Sequence, residues 1–211
     1  MVAIDGPAGA GKSTLAAAVA AHLGVERLDT GAMYRAVAWS ALRHGVDPAD
    51  ADAVADLARR TVIDVAARVL VDGEDATTEI RSAAVDGAVS AVAANPAVRA
   101  ELVARQRAWV TARGSGVVEG RDIGSVVLPD ADVKIYLTAA TDVRARRRAA
   151  ERADGRSVEQ IHDDLVRRDR IDSTRVDSPL PRPEEAAADA TVIDSTGKSA
   201  HIVLTEVLAC L

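Results

Sequence analysis

Short apolar runs alternate with longer segments of helical periodicity along most of the chain. The run Val2-Ala3-Ile4 is typical of a buried strand, and the periodicity from about Lys12 to Leu23 predicts the helix that follows. A second apolar run over about 25–28 ends at Asp29-Thr30-Gly31. Because these strands are short, apolar and separated by helices, we expect a parallel sheet covered by helices on both faces, an α/β fold.

The rest of the chain extends this pattern. Further buried strands are expected over about 117–118, 133–137 and 191–193. Further helices are expected over about 32–43, 49–60, 82–94, 96–113 and 199–211. The arginine-rich segment from Arg144 to Arg175 has the pattern of two helices joined around Ala153-Asp154-Gly155.

The segment from Thr61 to Ile80 departs from the alternation of strand and helix. Two β-like runs lie in it, one around Val62, Ile63 and Val65 and the other at Val69-Leu70-Val71. Asp72-Gly73 follows as a turn signal. This segment therefore predicts a small antiparallel hairpin or sheet inserted into the α/β frame.

A glycine-rich loop joins the first predicted strand to the first helix and matches the pattern G-x-x-x-x-G-K-[ST]. The matching residues are Gly6, Pro7, Ala8, Gly9, Ala10, Gly11, Lys12 and Ser13. Glycines let backbone N–H groups turn toward a phosphate, and the following helix directs its N-terminus at the same anion. Lys12 can then reach the β- and γ-phosphates, and the Ser13 hydroxyl can bind Mg²⁺. Its position between strand and helix favours a nucleoside triphosphate site over a chance glycine-rich turn.

Composition excludes several classes of protein. The 211 residues, 48% of them hydrophobic, suit one domain with a sizeable core. The sequence contains no apolar run near the roughly 18 residues of a membrane span, and no signal peptide is expected. A single cysteine, Cys210, excludes an intrachain disulfide framework. We therefore expect a cytoplasmic protein with no membrane partner.

The charge distribution indicates what kind of ligand to expect. The net charge is −6, yet 23 of the 26 basic residues are arginine, and 11 of those lie between Arg144 and Arg182. An acidic chain with a local arginine cluster is a poor candidate for nucleic-acid binding and a good one for binding a small polyanion. GC-rich coding alone would also enrich arginine.

A second anionic substrate would need its own basic residues. Arg121 follows a predicted strand, which places it near the carboxyl edge of the sheet, where ligands bind in open α/β folds. Arg35 follows the second strand, and core packing accounts for it equally well. Asp122, beside Arg121, either accepts a hydrogen bond from a base amino group, as carboxylates do from cytosine, or forms a surface ion pair. The full set of candidate arginines is Arg35, Arg99, Arg121, Arg168 and Arg175.

Three segments strongly resemble the bacterial cytidylate kinases. They are Leu28-Asp29-Thr30-Gly31-Ala32-Met33-Tyr34-Arg35, Glu119-Gly120-Arg121-Asp122-Ile123-Gly124, and Arg168–Arg175. The resemblance covers essentially the whole chain, including the β-like insert near 61–80, and the Gly-Arg-Asp-Ile-Gly run is more specific than the phosphate loop. It implies a P-loop kinase fold, in which helices flank a central parallel sheet and a small β-containing NMP-binding insert and an arginine-rich lid are added.

The resemblance also implies how a single kinase domain over 1–211 is divided. The core would comprise about 1–29, 114–143 and 176–211. The NMP-binding region with its β insert would cover about 30–113, and the lid about 144–175.

Site residues carry over from the family by position. The loop from Gly6 to Ser13, with Thr14 after it, would bind ATP, and Mg²⁺ would be held by Ser13, partly through water. Glu119 occupies a position where some members have Asp, so its role in the metal's water shell stays open. The CMP-binding residues implied by the resemblance are Thr30, Arg35, Ser90, Arg99, Arg121, Asp122, Arg168, Asp172 and Arg175.

Each implied CMP-binding residue has a part of the nucleotide to contact. Arg35, Arg121 and Arg168 would hold the phosphate, while the cytosine edge would be recognised by Ser90, Arg99 and Asp122. Asp172 would recognise the sugar hydroxyl with Arg175 beside it, and Thr30 keeps a hydroxyl near the cytosine or ribose. The catalytic residues would be Lys12, Arg121 and Arg168.

The activity implied by the resemblance is transfer of the γ-phosphoryl group of ATP to CMP, and to dCMP, by a monomeric enzyme. Two other classes remain as alternatives. One is a P-loop kinase for another small acceptor such as UMP or shikimate. The other is a nucleotide-dependent switch or phosphate-binding regulator, although the sequence lacks both an Asn-Lys-x-Asp guanine motif and an LSGGQ-like signature.

Overall fold

The computed structural model describes residues 1–151, 155–175, 177–186 and 190–211. These residues form two compact units. The first unit comprises Met1–Arg27 and Ser115–Leu211, and the second comprises Leu28–Gly114. Two residues of the predicted turn in the arginine-rich segment, Ala153 and Asp154, lie outside the described residues.

The central sheet contains five strands in the order β2-β6-β1-β7-β8. Strand β1 pairs in parallel with β6 and β7, and β7 pairs in parallel with β8. All four residues of β1 are buried, as expected for a central strand covered on both faces. The predicted α/β fold is therefore confirmed. In chain order, β1 to β8 are Val2–Asp5, Arg27–Asp29, Ile63–Val65, Val69–Val71, Glu74–Asp75, Val117–Glu119, Val133–Thr138 and Thr191–Asp194.

The predicted helices are confirmed, and the ends of those outside the arginine-rich segment are displaced by at most three residues. Capping explains the earlier start of α2, because the Asp29 side chain accepts a hydrogen bond from the Ala32 amide and begins this helix at Thr30. Among the described helices, none is both long and apolar enough to cross a membrane. In chain order, α1 to α8 are Lys12–Leu23, Thr30–Arg43, Ala51–Arg60, Ala83–Ala94, Pro96–Arg113, Thr141–Glu151, Val158–Ser173 and Ala200–Leu208.

Aliphatic side chains form the core of the first unit. Leu15 and Val19 of α1 pack with Ile4 and Ile135 of the sheet, and Val203 of α8 belongs to the same cluster. The chain contains no phenylalanine, so this core is built from Ala, Val, Leu and Ile. Removing such residues from water supplies most of the favourable free energy of folding.

The second unit contains a three-stranded antiparallel sheet, ordered β3-β4-β5, beside its helices. The predicted insert is thus confirmed as a small sheet. Its β4–β5 turn is Asp72-Gly73, and both residues have positive φ, 51° and 84°, which suits a tight hairpin. Val69, Val71 and Ile80 bury this insert against α2.

Candidate active site

The phosphate loop runs from the end of β1 into the first two residues of α1, so it joins a strand to a helix as predicted. Gly6 has φ +141°, and a β-carbon placed on it would lie 1.9 Å from the carbonyl oxygen of Leu137. Only glycine fits so close to another backbone. Gly11 is left-handed, with φ 99°, and stands at the N-cap of α1 without a side-chain cap. The first N–H groups of α1 are therefore available to an anion.

Lys12 and Ser13 begin α1 and have polar contacts in the loop region. The Lys12 ammonium donates a hydrogen bond to the carbonyl oxygen of Pro7 over 2.9 Å, which folds it back over the loop. The Ser13 hydroxyl donates to Oε2 of Glu119 over 2.9 Å. Glu119 ends β6, is buried, and has Arg27 within 3.5 Å of its other oxygen.

The Ser13–Glu119 pair fits a magnesium site. Mg²⁺ prefers oxygen ligands and is usually held by one or two protein oxygens together with water and substrate phosphates. A hydroxyl and a carboxylate beside a phosphate loop are such a donor set. No group of three or more acidic, histidine or cysteine ligands occurs in the described ranges, so a metal here would depend on the nucleotide for further ligands.

The segment from Gly120 to Gly124 is bonded to the start of the phosphate loop. The guanidinium of Arg121 donates from Nη1 to the carbonyl oxygen of Gly6 over 2.6 Å, and from Nε to Asp172 over 3.0 Å. Asp122 is buried and precedes one turn of π-helix over Ile123–Val127. A π-turn of this kind is rare and occurs often at functional sites.

Asp5, the last residue of β1, accepts hydrogen bonds from two amides of that segment. Burial raises the pKa of its carboxyl to about 6, although the Gly124 and Ile123 amides and the Lys12 charge lower it and the Asp122 charge raises it. Asp5 was not among the predicted site residues. The sequence did indicate a special role for Asp5, because it is an acidic residue at the end of an otherwise apolar strand and directly before the phosphate loop.

Three predicted CMP-binding residues lie on or just after α7. Asp172 is buried and forms ion pairs with Arg121 and, over 3.1 Å, with Arg175. Arg168 is partly buried one turn earlier on the same helix. Helix α7 is connected to the phosphate loop by Arg144, whose guanidinium donates to the carbonyl oxygen of Ala8 and to Asp169.

A cavity of about 180 Å³ opens beside the phosphate loop. Thr14, predicted to bind ATP, lines it together with Arg147, Ser195 and Lys198. Arg147 donates to the hydroxyl and carbonyl oxygens of Ser195 over 2.9 and 2.8 Å. Sequence reasoning missed Arg147, Ser195 and Lys198, since Arg147 lay in a run of similar arginines and Ser195 follows the last strand without a recognisable motif.

The second unit contains the remaining predicted residues. Arg35 on α2 donates to the carbonyl oxygen of Ile80 over 3.0 Å and to Asp86 over 2.6 Å. Ser90 is partly buried one turn beyond Asp86 on α4. Arg99 on α5 is buried, with Nη1 3.5 Å from the Tyr34 hydroxyl, and Thr30 is buried at the start of α2. Sequence reasoning missed Asp86, the one acidic residue of α4.

Hydrogen bonds and ion pairs therefore bring some of the predicted residues together within each unit. In the first unit they connect Arg121 to the phosphate loop and to Asp172, and Asp172 to Arg175. In the second unit Arg99 contacts Tyr34, the neighbour of Arg35. The two groups of residues belong to different units, and their assignment to one nucleotide remains a prediction.

One solved structure resembles this chain in its fold. A protein from Eubacterium ventriosum, described as uncharacterized, has a solved structure with a TM-score of 0.55 at 11% identity, covering 99% of this chain and 95% of that one. That likeness concerns the fold alone.

Sequence relatives are more specific. The cytidylate kinase of Pelotomaculum thermopropionicum is 51% identical over 99% of this chain and 94% of its own length. The cytidylate kinase of Rhodococcus opacus is 52% identical over 93% of this chain and 87% of its own. The family model described as cytidylate kinase matches residues 2–211. The chain is therefore a member of the cytidylate kinase family.

Proposed function

We propose that this chain transfers the γ-phosphoryl group of ATP to CMP, and also to dCMP, giving ADP and CDP or dCDP. The observation that carries the proposal is the bond between Arg121 and the carbonyl oxygen of Gly6, 2.6 Å long. This bond supports the proposal because it holds a guanidinium, a group suited to binding phosphate, at the first residue of the phosphate loop, where an acceptor phosphate would approach ATP. Family membership supports CMP as that acceptor.

The transfer is an in-line displacement. An oxygen of the CMP phosphate attacks the γ-phosphorus of ATP, the bond from that phosphorus to the bridging oxygen breaks, and ADP leaves. The attacking oxygen is already anionic at neutral pH, so the step needs no strong general base. Catalysis then consists of positioning the reactants and stabilising negative charge on the transferring group. Lys12 and the arginines supply that stabilisation.

Two groups of residues are proposed to contact CMP. In the first unit, Arg121 and Arg168 hold the phosphate, Asp122 accepts a hydrogen bond from the cytosine amino group, and Asp172 binds the sugar with Arg175 beside it. In the second unit, Arg35 holds the phosphate, Ser90 and Arg99 contact the base, and Thr30 offers its hydroxyl. Guanidinium groups suit the phosphate because they bind it through two parallel hydrogen bonds.

The proposed ATP contacts lie in the first unit. The loop from Gly6 to Ser13 binds the phosphates, and the cavity lined by Thr14, Ser195 and Lys198 receives the nucleoside end. Ser13, with Glu119 through water, would hold Mg²⁺, which when bound there neutralises charge on the ATP phosphates. Arg144 to Arg175 form a lid that excludes water, because water would compete with CMP as acceptor.

The enzyme is further proposed to be monomeric and cytoplasmic, with no nucleic-acid or membrane partner. Its net charge of −6 supports a small-molecule substrate over nucleic acid.

Comparing acceptors tests the proposed function. ADP release is measured with ATP and, in turn, CMP, dCMP, UMP, AMP and shikimate. CMP is expected to give the highest kcat/KM, followed by dCMP. Faster turnover of UMP would reject the specificity for cytosine, and ATP hydrolysis that no acceptor accelerates would indicate a nucleotide-dependent switch instead.

A further inference from the structure

The carboxylate of Asp5 uses both of its oxygens on one short segment. Oδ1 accepts a hydrogen bond from the amide of Ile123, and Oδ2 accepts one from the amide of Gly124, each over 2.7 Å. Only 7% of Asp5 is exposed. Hydrogen bonds between a charged carboxylate and backbone amides in such surroundings are about twice as strong as neutral ones.

The bonds of Asp5 belong to a continuous set. The amide of Gly120 donates to the carbonyl oxygen of Ile4 over 2.9 Å, and Arg121 donates to the carbonyl oxygen of Gly6. Three consecutive residues at the end of β1 therefore hold the segment 120–124. Arg121 and Asp122, the two residues of this segment proposed to contact CMP, lie between the bonds on either side.

A carboxylate suits this position better than any other side chain. Two adjacent amides need two acceptor oxygens, whereas an asparagine would present one oxygen and turn an NH₂ group toward the second amide. Gly124 has no side chain, and a β-carbon there would lie 3.4 Å from Oδ2 of Asp5 and 3.2 Å from the side chain of Lys134. The segment is thus held closely against both residues.

We propose that Asp5 is a positioning residue for the acceptor, which fixes Arg121 and Asp122 relative to the phosphate loop and so sets the affinity and base specificity for CMP. This inference rests on the proposed function, because it takes Arg121 and Asp122 to contact the CMP phosphate and cytosine. Asp5 acts through the segment and not on the substrate, since both of its oxygens are occupied by amides.

The test compares Asp5→Asn with Asp50→Asn in the full-length chain. Asp50 is a matched control, because its carboxylate also accepts a backbone amide bond, from Ala53 over 3.0 Å, and caps α3 in the other unit. Asparagine caps a helix as well as aspartate does. For Asp5→Asn we expect KM for CMP to rise at least tenfold and the CMP-over-UMP ratio of kcat/KM to fall at least fivefold. KM for ATP should stay within twofold, and Asp50→Asn should match the unmodified chain throughout.

Hydrogen exchange separates this inference from the proposed function. The amides of Ile123 and Gly124 are expected to exchange at least tenfold faster in Asp5→Asn, whatever the acceptor is. Unchanged exchange, or KM values for CMP and ATP that rise equally, would overturn the positioning role. If the unmodified chain does not phosphorylate CMP, the proposed function is rejected while the exchange result still decides whether Asp5 fixes the segment.

A second variant keeps the test decisive if Asp5→Asn does not fold. Gly124→Ala introduces a β-carbon whose closest neighbours are the Lys134 methylenes, the flexible part of a side chain, and Gly124 is not among the positive-φ glycines. This variant should therefore fold, with the segment displaced from Asp5. We expect the same selective rise of KM for CMP, at least threefold, and an unchanged KM for CMP would overturn the proposal.

Discussion

The phosphate loop and the acceptor arginines are two regions proposed to bind phosphate, and they are built differently. The loop consists of consecutive residues whose backbone, fixed by glycines such as Gly6 and Gly11, forms the anion site. The arginines come from separate elements and are engaged with carboxylates. Arg35 pairs with Asp86, and Arg121 and Arg175 both pair with Asp172.

This difference shows where each region obtains its orientation. The loop is oriented by its own backbone and needs no carboxylate to orient it. Its N–H dipoles and one lysine supply the positive potential that attracts an anion. A guanidinium on a long side chain is oriented by the acceptors around it, here a carbonyl oxygen and a carboxylate for both Arg35 and Arg121. The phosphate binding proposed for these arginines therefore depends on residues that are not themselves proposed to contact phosphate.

The largest effect should come from the phosphate loop. Lys12→Met is expected to lower kcat by about 10³-fold, the upper range for loss of one preorganised donor. Its melting temperature should stay close to that of the unmodified chain, since the ammonium lies at the site and not in the core. Steady-state kinetics and thermal unfolding test this, and a kcat reduced less than tenfold would mean that the loop backbone alone stabilises the transferring group.

Removal of a lid arginine should rank second. Arg168→Ala is expected to lower kcat by about 10²-fold with little change in stability, because the guanidinium contributes only when the lid closes. Arg167→Ala is the matched control, since Arg167 is exposed and pairs with Asp164 on its own helix. If kcat/KM for both substrates stays within about twofold in Arg168→Ala, the lid role is wrong.

The pH dependence of stability tests Asp5, which connects the end of β1 to the segment that contains Arg121. Burial raises the pKa of Asp5 from its ordinary value of 3.8 to about 6. A carboxyl with a raised folded-state pKa favours the folded state at low pH, and that contribution, about 3 kcal/mol, is lost as pH rises from about 4 to about 6. We therefore measure the free energy of unfolding of the unmodified chain and of Asp5→Asn from pH 4 to pH 7. As pH rises to about 6, the value for the unmodified chain should fall relative to that of Asp5→Asn. Parallel curves would show that Asp5 does not titrate there.

The smallest effect should come from the Arg35–Asp86 pair. Asp86→Asn replaces a charged acceptor by a neutral one and weakens the bond that orients Arg35. We expect KM for CMP to rise about three- to tenfold, the difference between a charged and a neutral hydrogen bond being about 1 kcal/mol. Asp56→Asn, in the exposed pair with Arg59, is the control and should change nothing. A fall in KM would show that Asp86 competes with the phosphate for Arg35 instead of orienting it.

Most of the fold was predictable because its signals are local. The period of α1, the short strands β1, β7 and β8, and the Asp72-Gly73 turn all follow from neighbouring residues. Strand β2 was displaced toward Asp29, and the π-turn after Asp122 was not predicted, because neither has an apolar period that distinguishes it. The extent of β2 is fixed by its place at the sheet edge, which depends on residues far along the chain.

The candidate site was predictable only in part for the same reason. The phosphate loop was found from one contiguous motif. The pairs that orient the arginines were not, although Asp172 itself was a predicted residue, since Asp86 lies 51 residues from Arg35 and Asp172 lies 51 residues from Arg121. Asp5 is 118 and 119 residues from the two amides that it accepts. The fold brings such distant residues together, and no local pattern in a single sequence predicts that they will pair.

The buried guanidinium of Arg144 limits how this chain can vary. It donates four hydrogen bonds in different directions, to the carbonyl oxygens of Ala139 and Ala8, the Thr141 hydroxyl and the Asp169 carboxylate. Lysine has a single nitrogen at the end of its chain and cannot span these acceptors. In a saturation mutagenesis screen, position 144 should accept arginine alone, while the exposed neighbour Arg146 should tolerate most replacements. GC-rich coding can therefore account for many of the arginines in this chain, but not for Arg144, which its hydrogen bonds require to be arginine.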